Sequence, residues 1–351
     1  MPDLTLYRRY RPQTFEEVVG QEHLIPALRK SVAEGTFAHA YLFAGSRGTG
    51  KTSVARILAR QLGTDERDLY EIDAASNRGI DDIRALREEI QNLPFSSPYK
   101  VYILDEVHML SKDAFNALLK TLEEPPAHAV FILATTELHK VPETIRSRCQ
   151  LLSFTTPTEA TLAHHTLAIA AKEGYTLTPQ SAELIALMGE GSYRDTLGAL
   201  QKVLGMADTQ TVTHETVEAA LGAPKLASIN ALITALAEHD GNAALSALHE
   251  LSRAGVAMDV VFKLLLARLR AILLIRTAPA LHDELRQRLG EDAFAFLKDL
   301  AVHSQGAKRI TSRTLVRILE AHDLQRTATI PALPLELALI DLTDAPESSA
   351  D

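Results

Sequence analysis

A glycine-rich run followed by a lysine and a threonine has the types and spacing of a phosphate-binding loop. The residues from Gly45 to Thr52 read GSRGTGKT and match the pattern G-x-x-x-x-G-K-[ST] at every position. Glycine permits turns in which successive backbone N–H groups point at one anion, and a helix beginning there adds its positive end. The residues predicted to bind a nucleoside triphosphate are Gly45, Ser46, Arg47, Gly48, Thr49, Gly50, Lys51, Thr52 and Ser53.

An apolar run further along, VYILDE, ends in two acidic side chains, Asp105 and Glu106. Hydrolysis of a triphosphate needs an acid that holds magnesium and a base that polarises the attacking water, besides the phosphate loop. Asp105 is predicted to hold Mg²⁺ together with the Thr52 hydroxyl, Glu106 to act on the water, and Lys51 to neutralise phosphate oxygens. The alternative is a glycine-rich turn and an ordinary strand with surface acids. It is not favoured, because strand, loop, helix and second strand are all present.

The elements that must position these residues alternate between short apolar strands and amphipathic helices from Arg8 to about Phe154. This alternation is typical of a parallel sheet with helices on both faces, which binds ligands at the carboxyl ends of its strands. The strands are predicted over Ala40 to Ala44, Leu69 to Asp73, Lys100 to Asp105, Ala129 to Thr135 and Gln150 to Phe154. The helices are predicted over Ser53 to Gln61, Ile80 to Gln91, Lys112 to Glu123 and Pro142 to Arg146.

Strands cease after Thr155, so the predicted fold class is α/β followed by all-α. A first group of helices is predicted over Thr158 to Glu173, Thr178 to Met188 and Tyr193 to Met206. A second group, beyond a break near Gly222 to Lys225, is predicted over Leu226 to Glu238, Ala243 to Ala254, Ala257 to Ile275, Leu281 to Val302 (a pair), Ser312 to Ala328 and Pro331 to Leu342. The predicted domains are a nucleotide-binding core at 1–156, a small helical domain at 157–223, a larger one at 224–343 and a disordered tail at 344–351.

The composition of the 351 residues, with 46% apolar and 23% charged side chains, is typical of a soluble globular protein. The net charge of 36 − 45 = −9 argues against a protein that coats nucleic acid by bulk electrostatics, so any DNA contact must be local. The apolar stretch from Val256 to Ile275 is broken by charges and predicts a buried helix rather than a membrane span. Cys149 is the only cysteine, which excludes an internal disulfide, and no export signal opens the chain. A cytoplasmic location without a membrane partner is predicted.

Several segments resemble the gamma/tau family of AAA+ ATPase subunits in the bacterial DNA polymerase III clamp loader. The segments that carry the resemblance are YRRYRPQTFEEVVGQEH (Tyr7 to His23), HAYLFAGSRGTGKTS (His39 to Ser53), EIDAASN (Glu71 to Asn77), LDEVHMLS (Leu104 to Ser111), FNALLKTLEEPP (Phe115 to Pro126), ATTE (Ala134 to Glu137) and SRC (Ser147 to Cys149). The helical remainder resembles the family's lid and oligomerisation collar only loosely, through GSYRDTL (Gly191 to Leu197).

The resemblance implies an AAA+ P-loop fold and an ATP-hydrolysing motor subunit, with Mg²⁺, that opens a sliding clamp and loads it onto primed DNA. The partners implied are other loader subunits in a hetero-oligomeric, pentameric ring, the clamp, and primer–template DNA. Thr136 is implied as a sensor that orients the attacking water or contacts the γ-phosphate. Arg148 is implied as an arginine finger for the nucleotide of the adjacent subunit, and Arg194 as a residue that couples the lid to the phosphates. The alternatives are a strand-terminal cap for Thr136 and a solvated arginine for the other two.

Residues outside the central motifs receive further roles from the same resemblance. Arg8, Arg11 and Pro12 are implied to line the adenine pocket, or to form a tail that crosses the sheet edge. Three residues are implied to lie near DNA, although charged residues on helices are usually solvated: Asn77, Arg78 and Lys120. Lys120 is implied to relay the DNA contact to Glu106 through its helix.

The chain departs from the family in one segment. A four-cysteine zinc module usually precedes the EIDAAS strand, whereas here GTDERD joins Leu62 directly to Leu69. Zinc is therefore expected to be absent. Three histidines without partners at metal-ligand spacing are interpreted as structural: His108, His164 and His165.

Two alternatives remain beside the loader motor. A hexameric AAA+ branch-migration helicase or unfoldase shares both nucleotide motifs, but an unfoldase usually needs an aromatic pore loop, and the residues from Asn77 to Ile80 include no aromatic. A catalytically silent stator subunit of the same loader would have a damaged phosphate loop, and this loop is complete.

Overall fold

The computed structural model describes residues 5–302 and 309–344, so the predicted tail beyond Asp344 lies outside the described residues. The chain divides into two compact units. Unit 1 contains the residues up to Thr161 together with Gly191–Gly198, and unit 2 contains Leu162–Glu190 and the residues from Ala199 onward. The predicted boundary between residues 223 and 224 remains a prediction.

Unit 1 contains a five-stranded parallel sheet in the order β2-β3-β4-β1-β5. The strands are β1 (Ala40–Ala44), β2 (Leu69–Asp73), β3 (Lys100–Asp105), β4 (Ala129–Thr135) and β5 (Gln150–Ser153). The central strands β1 and β4 are buried along their whole length, whereas the edge strands β2 and β5 are partly exposed. The predicted strands are confirmed, the last one ending a residue earlier than expected.

Helices cover both faces of this sheet. They are α1 (Leu6–Arg9), α2 (Ile25–Ala33), α3 (Lys51–Gln61), α4 (Ile80–Ile90), α5 (Lys112–Glu123) and α6 (Glu143–Arg146). Successive strand residues point to opposite faces: Tyr41 and Phe43 join one apolar cluster with α3, and Leu42 and Leu104 join another with α4 and α5. Burial of both faces explains why the central strands read as continuous apolar runs.

Unit 2 is helical. Its helices, of which α7 and α9 begin in unit 1, are α7 (Glu159–Lys172), α8 (Pro179–Met188), α9 (Tyr193–Met206), α10 (His214–Leu221), α11 (Leu226–Glu238), α12 (Gly241–Arg253), α13 (Met258–Thr277), α14 (His282–Leu289), α15 (Glu291–Val302), α16 (Ser312–Gln325) and α17 (Leu333–Asp344). The largest core cluster surrounds α13, where Phe262, Leu265 and Leu269 are fully buried. The prediction of a buried α13 is confirmed.

The short helix α10 was not predicted. It begins at Thr213, whose side chain accepts the N–H of Thr216, but the β-branched TVT run before it gives no helical periodicity. Over the described ranges no single helix is long and apolar enough to cross a membrane. One pair bent by 85°, α10 with α11, passes by length and composition alone.

Candidate nucleotide-binding site

The predicted phosphate loop joins the carboxyl end of β1 to the start of α3, at the edge where Asp105 and Thr135 end their strands. Gly50 adopts a left-handed conformation (φ 102°) immediately before the helix, and Gly48 does so within the loop (φ 74°). A Cβ at Gly48 would lie 1.9 Å from Ser192 Oγ, so only glycine fits there. The loop therefore has the backbone form and the helix terminus that an anion site requires.

Lys51 is folded onto this loop. Its Nζ donates to the carbonyl oxygens of Gly45 at 2.8 Å and Ser46 at 2.9 Å, and the residue is 6% exposed. Burial lowers the pKa of Lys51; Glu106 and Asp105 oppose this effect, and Arg194 adds to it. The ammonium thus has both acids and a second cation for neighbours.

The loop itself is held by short polar contacts. The Thr49 hydroxyl donates to the carbonyl oxygen of Ser46 at 2.9 Å, and Ser46 Oγ lies 3.1 Å from Thr156 Oγ1. The exposed Arg47 side chain extends from the loop. Sequence reasoning missed Gln21, a fully buried amide that donates to the carbonyl oxygens of Thr49 at 3.4 Å and Thr155 at 2.9 Å.

The predicted magnesium donors are in contact. Thr52 Oγ1 donates to Asp105 Oδ2 at 2.8 Å, and the backbone N–H of Glu106 donates to Asp105 Oδ1 at 2.9 Å. A hydroxyl and a carboxylate suit Mg²⁺, which usually takes its remaining ligands from phosphates and water. No cluster of three or more His, Cys, Asp or Glu able to hold a metal occurs in the described part of the chain. The expected absence of zinc stays a prediction.

Glu106 follows β3 in a left-handed backbone conformation, with φ 48° and ψ 43°. This conformation costs a residue with a Cβ roughly 1 to 2 kcal/mol, so it must be held by the surrounding structure. The Thr136 hydroxyl donates to Glu106 Oε2 at 2.9 Å. The predicted sensor thus contacts the predicted base directly, because β4 pairs with β3.

Sequence reasoning did not place His108 here. The side chain of His108 is 6% exposed and lies between two carboxylates, with Nδ1 3.4 Å from Glu106 Oε2 and Nε2 3.1 Å from Glu137 Oε2. Nδ1 is also 3.0 Å from Thr135 Oγ1. The sequence feature that could have indicated this role is the position of His108 two residues after Glu106. In the structure His108 lies in the short 3₁₀ turn Val107–Met109.

The turn that opens α9 contacts the phosphate loop. The backbone N–H of Tyr193 donates to the Gly48 carbonyl oxygen at 3.0 Å, and buried Ser192 caps α9 by accepting the N–H of Asp195. Arg194, the next residue, is exposed, and its guanidinium lies 5.5 Å from the centre of the Tyr7 ring. Arg194 thus follows the turn that contacts the predicted phosphate loop, and its implied contact with phosphate stays a prediction.

The N-terminal segment reaches the same region. Arg11 Nε donates to Ser53 Oγ at 3.0 Å, and burial, with Arg56 nearby, lowers the pKa of Arg11. Arg8 lies over the Tyr7 ring at 5.8 Å, and Pro12 is half-buried. The segment therefore lies beside α3, which is compatible with both predicted roles, the adenine pocket and a tail across the sheet edge.

Arg148 has partners within its own chain. It donates to the Thr144 carbonyl oxygen at 2.8 Å and to Glu123 Oε1 at 2.5 Å, and its side chain is 34% exposed. Cys149 is half-buried, and this partial burial raises the pKa of its thiol to about 12, which makes it less reactive than a free thiol.

The residues predicted near DNA lie outside this cluster. Arg78 is exposed and donates to the Ala75 carbonyl oxygen at 2.6 Å, and the Asn77 side chain donates to the Asp73 carbonyl oxygen at 3.0 Å. Lys120 is exposed on α5, and no hydrogen bond or ion pair between described residues joins it to Glu106. Their predicted roles are untested.

Known proteins are similar to this chain over most of its length. Residues 20–78 and 64–158 match the family described as DNA polymerase III, delta subunit, and residues 212–350 match DNA polymerase III subunits gamma and tau domain III. The chain is 33% identical to the DNA polymerase III subunit gamma of Buchnera aphidicola, with 80% of this chain and 83% of that protein covered. It is 35% identical to the DNA polymerase III subunit tau of Bacillus subtilis over 98% of this chain, but it spans only 64% of that protein's length.

The solved structures support the fold. The Thermotoga maritima RuvB Holliday junction branch migration motor matches with a TM-score of 0.52 at 21% identity, covering 65% of this chain and 79% of that one. A likeness at this level of identity supports the fold alone, a parallel sheet followed by helices.

Proposed function

The chain belongs to the DNA polymerase III gamma/tau family, and we propose that it is an ATP-hydrolysing motor subunit of a clamp loader that opens a sliding clamp and loads it onto primed DNA. One observation carries the proposal: a complete phosphate loop lies beside two consecutive acidic residues. The Thr52 hydroxyl donates a hydrogen bond to Asp105, and the Thr136 hydroxyl donates one to Glu106. Such a site is built for phosphoryl transfer to water.

Each residue of the site has a separate role in binding or hydrolysing the triphosphate. The loop amides and the start of α3 bind the phosphates, and the Lys51 ammonium exchanges the carbonyl oxygens of Gly45 and Ser46 for phosphate oxygens. Thr52 and Asp105 would hold Mg²⁺, which when bound neutralises charge on the phosphates. Glu106 accepts the proton of the attacking water while Thr136 holds its carboxylate.

Assembly completes the site. Arg148 of an adjacent subunit reaches the nucleotide and stabilises the charge that develops during transfer, an effect worth about 10³- to 10⁵-fold in rate. In unit 2 large apolar residues of α16, α17 and the segment between them are unusually exposed: Val316, Leu319, Leu324, Ile330 and Leu337. An exposed apolar surface of this kind supports packing against the other subunits of a hetero-oligomeric, pentameric ring.

Clamp and DNA contacts are local in this proposal. Leu93 is 78% and Phe95 74% exposed after α4, which suits a protein partner such as the clamp. Asn77, Arg78 and Lys120 supply the few DNA contacts that a chain of net charge −9 allows. A cytoplasmic location follows from this role in replication.

The alternatives differ in what stimulates them. A branch-migration motor would respond to branched DNA without a clamp, and the likeness to RuvB concerns the fold alone. A silent stator would bind nucleotide without turnover.

ATP turnover tests the proposal. It should rise when primed DNA and clamp are added together to the assembled loader, and Lys51→Ala should abolish this chain's turnover while leaving its circular dichroism unchanged. Retained turnover in purified Lys51→Ala, or no response to DNA with clamp, would remove the assignment.

A further inference from the structure

His108 is a buried imidazole beside the proposed catalytic base, and the reaction as described leaves it without a role. It lies in the turn after Glu106, and both ring nitrogens face groups that fix its hydrogen bonding. Besides Glu106, these groups are the side chains of Thr135, the last residue of β4, and of Glu137, two residues further on. The ring therefore joins two segments that are distant in sequence.

The contacts assign a donor role to both ring nitrogens. Glu137 Oε2, 3.1 Å from Nε2, belongs to a carboxylate that can only accept, so Nε2 carries a hydrogen. Nδ1 lies 3.0 Å from Thr135 Oγ1 and 3.4 Å from Glu106 Oε2, and both oxygens can accept, so a hydrogen on Nδ1 lets the ring donate toward the base as well. With a hydrogen on each nitrogen, the ring has a partner on both sides and its orientation is fixed.

Glu137 is itself held in its ionised form. Lys140 Nζ donates to Glu137 Oε2 at 2.8 Å, and this hydrogen bond, followed by the charges of Lys140, His108 and His139, lowers the pKa of Glu137. An ionised Glu137 is the acceptor that the Nε2–H group requires.

On the other side of the ring lies the base. Thr136 Oγ1, at 2.9 Å, and His108 Nδ1, at 3.4 Å, both approach the same oxygen of Glu106, Oε2. With Oε2 bounded by these two groups, Oε1 is the oxygen left to accept a proton from water. The left-handed backbone of Glu106 restricts the base further.

We propose that His108 is a positioning residue for Glu106: its ring, anchored through Nε2 to Glu137, holds the Glu106 carboxylate so that Oε1 meets the attacking water. The inference rests on the proposed ATPase function and deepens it. Because the ring does not touch the substrate, it acts on the chemical step and leaves nucleotide binding alone.

His108→Phe keeps a planar ring and removes both nitrogens. In the assembled loader with clamp and primed DNA, kcat should fall about 10-fold or more, since a well-placed general base contributes about 10² to 10⁴. The KM for ATP, and the affinity for a fluorescent ATP analogue, should stay within about twofold. His108→Asn, which keeps a polar atom near the Nδ1 position, should recover part of the loss. The matched control is His164→Phe on α7, an exposed histidine outside this cluster, which should behave as wild type.

A double-mutant cycle separates positioning from a structural role. If His108 acts only through Glu106, adding His108→Phe to Glu106→Ala should not slow the residual turnover further. The nucleotide-free chain supplies a second reading, because Glu106→Gln should shift the ¹⁵N resonance of His108 Nδ1 while Nε2 stays protonated.

The inference is overturned if His108→Phe leaves kcat unchanged, raises the KM in proportion to any loss, or slows Glu106→Ala by the same factor as wild type. An unchanged Nδ1 resonance in Glu106→Gln would also overturn it. Turnover of the wild-type assembly no higher than that of its Lys51→Ala counterpart would instead refute the proposed function, and this inference with it.

Discussion

Asp68 should be the most important single side chain for the stability of the segment that joins α3 to β2. It is fully buried, and its carboxylate accepts three backbone N–H groups, from Phe95 at 2.6 Å and from Ser96 and Ser97 at 3.0 Å each. Burial alone would raise the pKa of Asp68, but these hydrogen bonds, with the Ser97 side chain, lower it to about 2.

The magnitude follows from this shift. A fall from the ordinary value of 3.8 to about 2 corresponds to about 2 kcal/mol, since one pKa unit equals about 1.4 kcal/mol. Asp68→Asn keeps the size but turns an NH₂ toward backbone donors, so the loss should be about 2 to 3 kcal/mol. For a unit of this size the unfolding temperature should fall by about 5 to 10 °C at pH 7.

The pH dependence has a definite sign. Because the folded pKa is lowered, the stabilisation by Asp68 is complete above the unfolded pKa of 3.8 and is lost as the pH falls toward about 2. Wild type and Asp68→Asn should therefore converge in stability over this acid range.

Calorimetry of the full chain at pH 7 and at pH 3 measures both effects. Asp65→Asn is the control, because exposed Asp65 accepts one backbone N–H, from Arg67, and forms only an exposed ion pair with the same residue, so the loss should be less than about 1 kcal/mol. Equal unfolding temperatures for the Asp68 and Asp65 variants would refute the reasoning.

The remaining predictions concern the nucleotide site and the sheet unit. Gly48→Ala should destabilise the chain by more than about 1 kcal/mol and weaken ATP binding, because the new Cβ meets Ser192 and φ is 74°. The control is Gly198→Ala inside α9, which has open space around it and should stabilise the chain by about 0.5 to 1 kcal/mol. Urea unfolding measures the stability of both variants, and nucleotide titration measures their ATP binding. Cys149 should react with an aromatic disulfide reagent far more slowly in the native chain at pH 8 than in urea, because desolvation raises the pKa of this half-buried thiol to about 12; equal rates would contradict the raised pKa.

The sequence was sufficient where the signal is local. The predicted phosphate loop lies between a strand and a helix within a short segment, so periodicity predicted the strand before it and the helix after it correctly. The buried strands were equally readable, because residues that face apolar surroundings on both sides leave continuous apolar runs.

The contacts that complete the site depend on the fold instead. The contacts of His108 with Glu137, and of Thr136 with Glu106, arise because β3 pairs with β4 in parallel register. The backbone groups that donate to Asp68 lie in the loop after α4, and the Gln21 amide donates to a residue 134 positions later in the sequence, Thr155. Neither residue belongs to a pattern of period or spacing, so the sequence could not assign their partners.

In the proposed mechanism, one subunit binds the triphosphate and the adjacent subunit supplies Arg148. Its most direct test mixes two inactive variants, Lys51→Ala and Arg148→Ala, in assemblies that contain more than one copy of the chain. We expect each variant alone to lack DNA-stimulated ATP turnover and the mixture to regain part of it, since an intact phosphate loop then lies beside an intact arginine. A mixture as inactive as its components, or full turnover by Arg148→Ala alone, would contradict the account.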